Sequence, residues 1–446
     1  MKEMEKIKLS DHFTYGRLLK FVYSPILTMV FVSVYGIIDG LFVSNFVGKT
    51  EFAALNLIMP VLMIIGALGY MLSTGGSAIV AKTLGEGNDN LANKYFSMLV
   101  YVILIAGILF MLIAHVFLKD IAVFLGAEGE MLKYCIKYAR ITLCSMPFYM
   151  LQYFFQQLFI TAEKPKLGFG VTLLSGCMNI IMDALFIAVF HWGLEGAALA
   201  TALSEFIGGT LPLVYFFRKN DSLLRLVKTK IYWRALGKAC ANGSSEFVMN
   251  ISSSVVTMLF NMQLLKFAGE NGVAAYGVIM YVCFIFIAIF CGYAIGVAPI
   301  ISYNYGAKTH DELKNVVWKS LKMMGILGCL MTIICSLFAK VLAGIFVGYD
   351  AELLALTVSG LRIYSFSFLF AGFNIFGSSL FTALNNGLIS ATISFLRTLV
   401  FECGSVLILP IFFGLTGVWS SIIVAEVVAI TVTAIFFFAK RKTYHY

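Results

Sequence analysis

Charged and polar stretches are scarce in this chain. Only 12% of its 446 residues are Asp, Glu, Lys or Arg, about half of the ~25% found in an ordinary soluble domain. The only long polar connector is the segment 219–233, whereas 60% of all residues are hydrophobic and the mean hydropathy is +0.92. A soluble globular domain is therefore excluded, and the composition predicts an integral membrane protein.

Motifs of catalysis and of metal binding are also missing. The nine cysteines stand singly in apolar segments without a CxxC pair, and the five histidines lie in tails, in loops or near helix ends. Neither a disulfide framework nor a zinc site is indicated. Gly48-Lys49-Thr50 resembles the end of a phosphate-binding loop, but Val43 stands where that motif requires glycine. We therefore expect no enzyme, no cofactor and no ATP binding through this loop.

Twelve apolar stretches are long enough to cross a bilayer, which takes about 20 helical residues. They lie near 18–46, 52–81, 93–118, 131–160, 165–190, 194–218, 234–267, 273–303, 314–340, 352–382, 387–412 and 414–440. Because backbone polar groups cannot remain unpaired in lipid, we expect all twelve spans to be α-helices. The first span begins too late and runs too long for a cleavable signal peptide.

The second half of the chain repeats the first with a shift of 221 residues. Without a gap, Gly48 falls on Gly269, Gly75 on Gly296, and the turn 193–196 on the turn 414–417. Six spans return each copy to its starting side, so the copies must be parallel, as in several secondary transporters. We predict one six-helix bundle over 1–218, a cytoplasmic linker over 219–233 and a second six-helix bundle over 234–446.

The lysines and arginines predict the orientation of the spans. With the N-terminus in the cytoplasm, 23 of the 32 fall on the inner side and six on the outer side. By the positive-inside rule we expect both termini to be cytoplasmic in a multi-pass cell membrane protein, the inner membrane in a bacterium with two membranes. The formal charge of +9 then reflects topology and attraction to anionic lipid, and it needs no nucleic-acid partner.

Ionisable residues inside the spans are the candidates for function, because a charge at the bilayer centre costs at least ~2.5–3.5 kcal/mol. The nine are Asp39, Asp183, Glu205, Glu246, Glu402, Glu426, Arg140, Arg362 and Arg397. The acids exceed the arginines by three, so a cavity that they line would attract cations. Glu205 and Glu426 occupy equivalent positions, so a role in packing, a role as a hinge and a direct role in function all remain open for them. The sequence assigns no role to Glu402 or to the arginines.

Three polar residues of the first half share one depth, and a fourth lies one helical turn away. Asp39 lies seven residues before the outer end of its span, Asp183 lies seven before the outer end of the fifth, and Thr201 lies seven after the outer start of the sixth. At 1.5 Å per residue, all three are about 10 Å below the outer surface. Asn179 lies one helical turn before Asp183. The repeat places the apolar or small residues Phe260, Val400 and Gly404 opposite Asp39, Asn179 and Asp183, so an ion site is predicted in the first half only.

Three segments carry a family resemblance. They are 36–43 (GIIDGLFV), 179–187 (NIIMDALFI) and 193–198 (GLEGAA), and with Pro25 and the twofold six-span plan they resemble the MATE (multidrug and toxic compound extrusion) transporters, nearest to their MepA-type bacterial branch. The resemblance implies a V-shaped pair of six-helix bundles that exports cationic lipophilic drugs in exchange for H⁺ or Na⁺. It also implies a cation site at Asp39, Asn179, Asp183 and Thr201.

The resemblance further implies a bending point at Pro25, where a backbone hydrogen bond is missing. The tenth span departs from other branches of the family, because it holds no acid and only Arg362 near its start. We expect antiport by competition, in which the ion neutralises Asp39 and Asp183, the first helix repacks around Pro25, and the cationic drug leaves.

The seventh and eighth spans supply the expected drug cavity. Adaptable Met and aromatic surfaces suit promiscuous binding, and the residues predicted to line the cavity are Glu246, Met258, Phe260, Met262, Met280 and Phe284. Packing is the competing interpretation of these apolar residues.

Two other functions are considered. A flippase of lipid-linked oligosaccharide shares the architecture and is the alternative function, although it calls for a cationic cavity. A membrane-embedded enzyme is the other class of protein considered. We expect a monomer whose partners are small cationic drugs and the bilayer.

Overall fold

The computed structural model of the chain describes residues 7–47 and 49–446. Lys2, Lys6 and Gly48, on which parts of the sequence argument rest, lie outside the described residues. Within the described ranges the chain is helical and contains no β-strand. The α-helix pairs its backbone polar groups within the segment, so these apolar helices can cross lipid without forming a closed barrel.

Thirteen α-helices follow one another in the described part of the chain. They are α1 (Tyr15–Phe46), α2 (Lys49–Gly85), α3 (Asp89–Phe124), α4 (Gly129–Thr161), α5 (Pro165–Asp183), α6 (Gly193–Phe217), α7 (Trp233–Gly306), α8 (His310–Leu337), α9 (Ala339–Val347), α10 (Ala351–Ser365), α11 (Phe368–Ala383), α12 (Gly387–Phe395) and α13 (Cys403–Tyr444). Two π-helical segments, Ala184–Val189 and Leu396–Glu402, continue α5 and α12.

The twelve predicted spans correspond to these helices. Eight helical stretches in the described ranges are long and apolar enough to cross a membrane. Two of them have double length and are broken at Gly269 and Gly414, where the backbone leaves the helical conformation. The pair α10 and α11, bent by 52°, forms a further span, and the less apolar 33-residue α4 is the twelfth. The short helix α9 and the bend inside the tenth span were not predicted.

Local backbone geometry repeats with the sequence. Gly193 and Gly414, which the 221-residue shift superposes, have φ angles of 56° and 55°, and Gly87 and Lys308 form a second such pair with φ of 75° and 57°. These left-handed values are readily adopted by glycine and cost other residues energy. Lys308 adopts a left-handed φ angle nonetheless, because hydrogen bonds hold the turn in place. The amides of Lys308 and Thr309 donate to carbonyl groups at the end of the preceding helix, and the amides of Gly87 and Asn88 do the same in the first half.

The described chain divides into two compact units. Unit 1 contains residues 7–9, 31–47 and 49–243, and unit 2 contains residues 10–30 and 244–446. The predicted linker, 219–233, thus lies within unit 1, and the divisions fall inside α1 and α7. In unit 1 the linker is held on α3, because the amides of Arg225 and Val227 donate to Asn93 Oδ1 at 2.7 Å and to Ser97 Oγ at 2.9 Å.

Glycines allow close helix packing inside each unit. In unit 1 a Cβ at Gly75 would lie 1.9 Å from the carbonyl oxygen of Ala239. In unit 2 a Cβ at Gly296, the repeat equivalent of Gly75, would lie 3.3 Å from Pro25 Cγ, and one at Gly292 would lie 2.9 Å from the Pro25 carbonyl oxygen. Small residues let helix backbones approach closely in membranes. Pro25 is buried in α1, five residues before the division at Val30, and its role as a hinge stays a prediction.

Candidate functional site

Asp39 and Asp183 meet inside unit 1. Asp39 is half-buried on α1, Asp183 is fully buried at the end of α5, and their carboxyl groups lie within hydrogen-bonding reach of each other. Both groups are acceptors when ionised, so they repel each other in a medium that screens charge poorly. Their contact is favourable only when a proton or a cation lies between them.

Four acceptor atoms at this place lack a donor. Asp39 Oδ1, Asn179 Oδ1 and both carboxylate oxygens of Asp183 are buried and accept no hydrogen bond from the described part of the protein. Leaving buried polar groups unsatisfied costs about 1–3 kcal/mol each, and more when they are charged. A cluster made only of acceptor oxygens fits a hard cation such as Na⁺, or a proton.

The local helix geometry presents these oxygens together. Asn179 and Asp183 are one turn apart on the same face of α5, and they are only 3% and 0% exposed. Directly after Asp183 the α-helix gives way to the π-helical segment Ala184–Val189. Such segments are rare and occur frequently at functional sites. Asp183 is therefore the last residue of the α-helix before the helix widens into a π-helical turn.

Thr201 stands apart from the other predicted ligands. It is half-buried on α6, which packs against α5 and its π-helical extension. Its hydroxyl forms no hydrogen bond with Asp39, Asn179 or Asp183 in the described ranges. The structure thus brings Asp39 and Asp183 together, places Asn179 one turn away, and leaves the contribution of Thr201 as a prediction.

Tyrosines near the carboxyl groups were missed by the sequence argument. Tyr138 on α4 lies within electrostatic range of Asp39, Asp183 and Glu205, and Tyr35 on α1 lies within range of Asp39 and Glu205. The signal was present in α4, which is less apolar than its neighbours and carries several tyrosines. Tyrosine is common enough in membrane helices that spacing alone did not distinguish these residues.

The corresponding place in unit 2 has an apolar lining. Phe260, which the repeat aligns with Asp39, is fully buried and stacks on Tyr276 with ring centroids 4.8 Å apart. Val400 is partly exposed, and a Cβ at Gly404 would meet nothing within 4 Å. These residues offer no oxygen ligand from a side chain. The two halves therefore differ in the ligands that they offer at equivalent positions: oxygen atoms in unit 1, and none from these three side chains in unit 2.

The equivalent acids Glu205 and Glu426 have different partners. In unit 2 the Arg397 guanidinium donates to both oxygens of Glu426, with its shortest contact at 2.6 Å, and Asn374 Nδ2 donates to Glu426 Oε2 at 2.6 Å. In unit 1 the Glu205 carboxylate accepts from Ser145 Oγ at 2.5 Å. Glu426 is thus neutralised by a bidentate ion pair, whereas Glu205 has no arginine partner among the described residues.

The residues predicted to line the drug cavity in unit 2 differ in accessibility. Met258, Met262 and Phe284 are at least half exposed. Glu246 and Met280 are half-buried. Phe260, in contrast, is closed off by its own packing, so a ligand does not reach it in this structure. Asn250 Nδ2 donates to the backbone carbonyl of Glu246.

Twelve apolar spans in two related sets of six, with acids inside them, define a multi-pass membrane transporter. The family model MatE matches residues 25–185 and 247–404. The chain therefore belongs to the MatE family, as the three sequence segments predicted, and the protein is a transporter and not an enzyme.

Relatives and solved structures agree with this placement. The chain is 26% identical to the multidrug export protein MepA of Staphylococcus haemolyticus, covering 96% of this chain and 94% of that one. It is 26% identical to MepA of Staphylococcus saprophyticus, over 89% and 87% of the two chains. A crystal structure of MATE in complex with MaL6 matches with a TM-score of 0.93 at 22% identity, over 99% of both chains. An outward-facing multidrug resistance MATE family transporter matches with a TM-score of 0.92 at 22% identity, over 100% and 99%. The solved structures establish the fold alone.

Proposed function

We propose that this protein is a secondary active multidrug efflux antiporter, which exports cationic lipophilic compounds in exchange for H⁺ or Na⁺. Membership of the MatE family and the likeness to multidrug export proteins over most of the chain support multidrug efflux. The cluster of unsatisfied carboxylate and amide oxygens at Asp39, Asn179 and Asp183 supports ion coupling. This cluster is the observation on which the proposal rests.

The coupling ion binds between Asp39 and Asp183. Binding removes the repulsion between the two carboxylates and supplies the positive charge that the acceptor oxygens lack. An arriving cation and a cationic drug therefore compete for the same negative field of unit 1. Neutralised carboxyl groups hold the drug less tightly, so ion entry favours drug release and drug entry favours ion release.

The conformational step uses the first span. Residues 15–30 of α1 belong to unit 2, whereas residues 31–46, which include Asp39, belong to unit 1. Pro25 lies in the unit 2 part and lacks the amide that would complete the helix. In the proposed cycle the state of Asp39 biases α1 towards one of two packings, and Pro25 permits the change. Ion binding can shift this equilibrium only as far as the two packings differ in ion affinity.

The acid Glu246 on α7 is proposed to contact cationic cargo in unit 2. It is half-buried, and Met258 and Met262 stand further along the same helix with exposed, flexible side chains that adapt to different ligands. Cargo is proposed to move outward, as the likeness to multidrug export proteins supports. A flippase for an anionic lipid is less well supported, because Arg397 is committed to Glu426 and is unavailable for a pyrophosphate.

Drug efflux from proteoliposomes tests this function. Ethidium efflux is followed while an H⁺ gradient and an Na⁺ gradient are imposed separately, for the wild type, Asp183→Asn and the exposed control Glu130→Gln. We expect one of the gradients to drive efflux by the wild type and by Glu130→Gln, and neither to drive it with Asp183→Asn. Efflux by the wild type that responds to neither gradient would overturn the antiport mechanism.

A further inference from the structure

Position 176 explains why Glu205 has no arginine partner. The repeat places Gly176 opposite Arg397, the residue that neutralises Glu426 in unit 2. A Cβ at Gly176 would lie 2.5 Å from Phe31 Cε1, so the space that a longer side chain would need is already filled. Unit 1 therefore retains the acid of the duplicated pair and excludes its cation.

Glu205 is also poorly satisfied by hydrogen bonds. The Ser145 hydroxyl donates to Glu205 Oε2, but it lies 2.9 Å from the carbonyl oxygen of Thr142 as well, and a hydroxyl has only one hydrogen to donate. In the described ranges Glu205 Oε1 accepts no hydrogen bond from the protein. The charged neighbour that acts on Glu205 is Asp39, which has the same sign. Arg140, the arginine of α4, is exposed to the surroundings.

Tyrosines stand near this carboxylate, because Tyr149 and Tyr153 follow on the same face of α4, one and two turns after Ser145, whose hydroxyl donates to Glu205. Tyr35, Tyr149 and Tyr153 lie within electrostatic range of Glu205, and the rings of Tyr149 and Tyr153 are 4.9 Å apart. Tyr70 extends the group, with its ring 4.1 Å from that of Tyr153. All four tyrosines are half-buried, as is Glu205 itself. They are thus neither sealed in a core nor fully exposed.

A carboxylate beside tyrosine rings is suited to a large organic cation. The faces of aromatic rings attract cations, most strongly where water is excluded, and the carboxylate supplies the opposite charge. A proton or Na⁺ needs oxygen ligands and gains little from ring faces. The aromatic surroundings of Glu205 thus point to a different ligand from that of the oxygen cluster at Asp39 and Asp183.

We propose that Glu205, with Tyr35, Tyr149 and Tyr153, forms a subsite that binds the positively charged centre of an aromatic organic cation in unit 1. The inference rests on the proposed export of cationic compounds and assigns the recognition of their charge to a defined place. The duplicated acids have then diverged, since Glu426 is neutralised within the protein and Glu205 is neutralised by cargo.

Two probes of equal shape and opposite charge test the subsite. Tetraphenylphosphonium and tetraphenylborate are bound to the purified protein in detergent, and both dissociation constants are measured by equilibrium dialysis. We expect Glu205→Gln to weaken phosphonium binding by about tenfold, the factor that corresponds to 1.4 kcal/mol. Borate binding should not weaken, because the substitution removes a repulsive charge.

Control variants separate charge from packing. Ser145→Ala keeps the carboxylate and should change phosphonium binding by less than about threefold, because the lost hydrogen bond is partly shared with Thr142. Tyr153→Phe keeps the ring and should bind normally, whereas Tyr153→Leu should bind the phosphonium roughly two- to fivefold more weakly, as the loss of one cation–π contact implies. Should Glu205→Gln not fold, the Tyr153 pair decides.

The outcomes distinguish the subsite from the proposed function. Equal weakening of both probes, or unchanged phosphonium binding in Glu205→Gln, overturns the subsite and leaves cation export standing. Equal binding by Tyr153→Phe and Tyr153→Leu also overturns it. A wild-type protein that binds no phosphonium at all overturns both the subsite and the export of aromatic cations.

Discussion

Replacing Glu426 by glutamine should destabilise unit 2 strongly. The change removes the negative charge that holds the Arg397 guanidinium through contacts of 2.6, 3.0 and 3.1 Å, and the two side chains are only 4% and 17% exposed. Breaking a buried pair by removing one partner costs about 3–5 kcal/mol, because the other charge stays buried. We expect a loss of this size in the free energy of unfolding.

The matched control is the same substitution at the equivalent position. Glu205→Gln retains an amide oxygen that accepts from Ser145 and leaves no buried cation behind, so its loss should be below about 1 kcal/mol. Both free energies are measured by titration with sodium dodecyl sulfate in mixed micelles. The double variant Arg397→Met with Glu426→Met should recover most of the loss, since apolar replacement of a buried pair is often neutral. Similar losses for Glu426→Gln and Glu205→Gln, or no recovery in the double variant, would refute this reasoning.

Two further predictions concern α7. Gly243→Ala should lower the unfolding free energy of unit 1 by about 1–3 kcal/mol, because its Cβ would lie 1.8 Å from the carbonyl oxygen of Met71. In the exposed control Gly237→Ala the new Cβ meets nothing within 4 Å, so this substitution should be neutral or stabilising. Equal effects of the two substitutions in the same titration would contradict the close packing at Gly243. Glu246→Gln should weaken the binding of cationic dyes more than that of neutral ones in a fluorescence assay, whereas an equal loss for both would indicate a packing role.

The sequence was sufficient to predict the main architecture. The apolar runs predicted twelve spans, and the repeat placed Gly193 opposite Gly414, which have nearly the same φ angle in the structure. Both signals are strong for a physical reason, since the bilayer sets the length of a span and a left-handed turn restricts the residue that can occupy it. The bend between α10 and α11 was missed, because Phe366 and Ser367 carry no breaker signal in the sequence.

The candidate site could be predicted only in part. The spacing of Asn179 and Asp183 predicted that both lie on one helix face, and the distance of Asp39 from the outer end of its span predicted that it lies at the depth of Asp183. The partners of the remaining charged residues depend on how separate helices pack. The sequence contains Arg397 and Glu426 but does not show that they pair across 29 residues, nor that Tyr153 lies near Glu205.

Ion-coupled efflux in Asp39→Asn and in Phe260→Leu, measured side by side in proteoliposomes, tests most directly the claim that the first half binds the coupling ion. Asparagine keeps the size of the side chain and removes its charge, so Asp39→Asn should abolish efflux driven by the ion gradient while the protein stays folded. Phe260→Leu changes only the apolar packing at the repeat-equivalent position, where a tolerated exchange costs less than about 1.5 kcal/mol, and it should retain ion coupling. Comparable loss of coupling in both variants, or normal coupling in Asp39→Asn, would contradict the assignment.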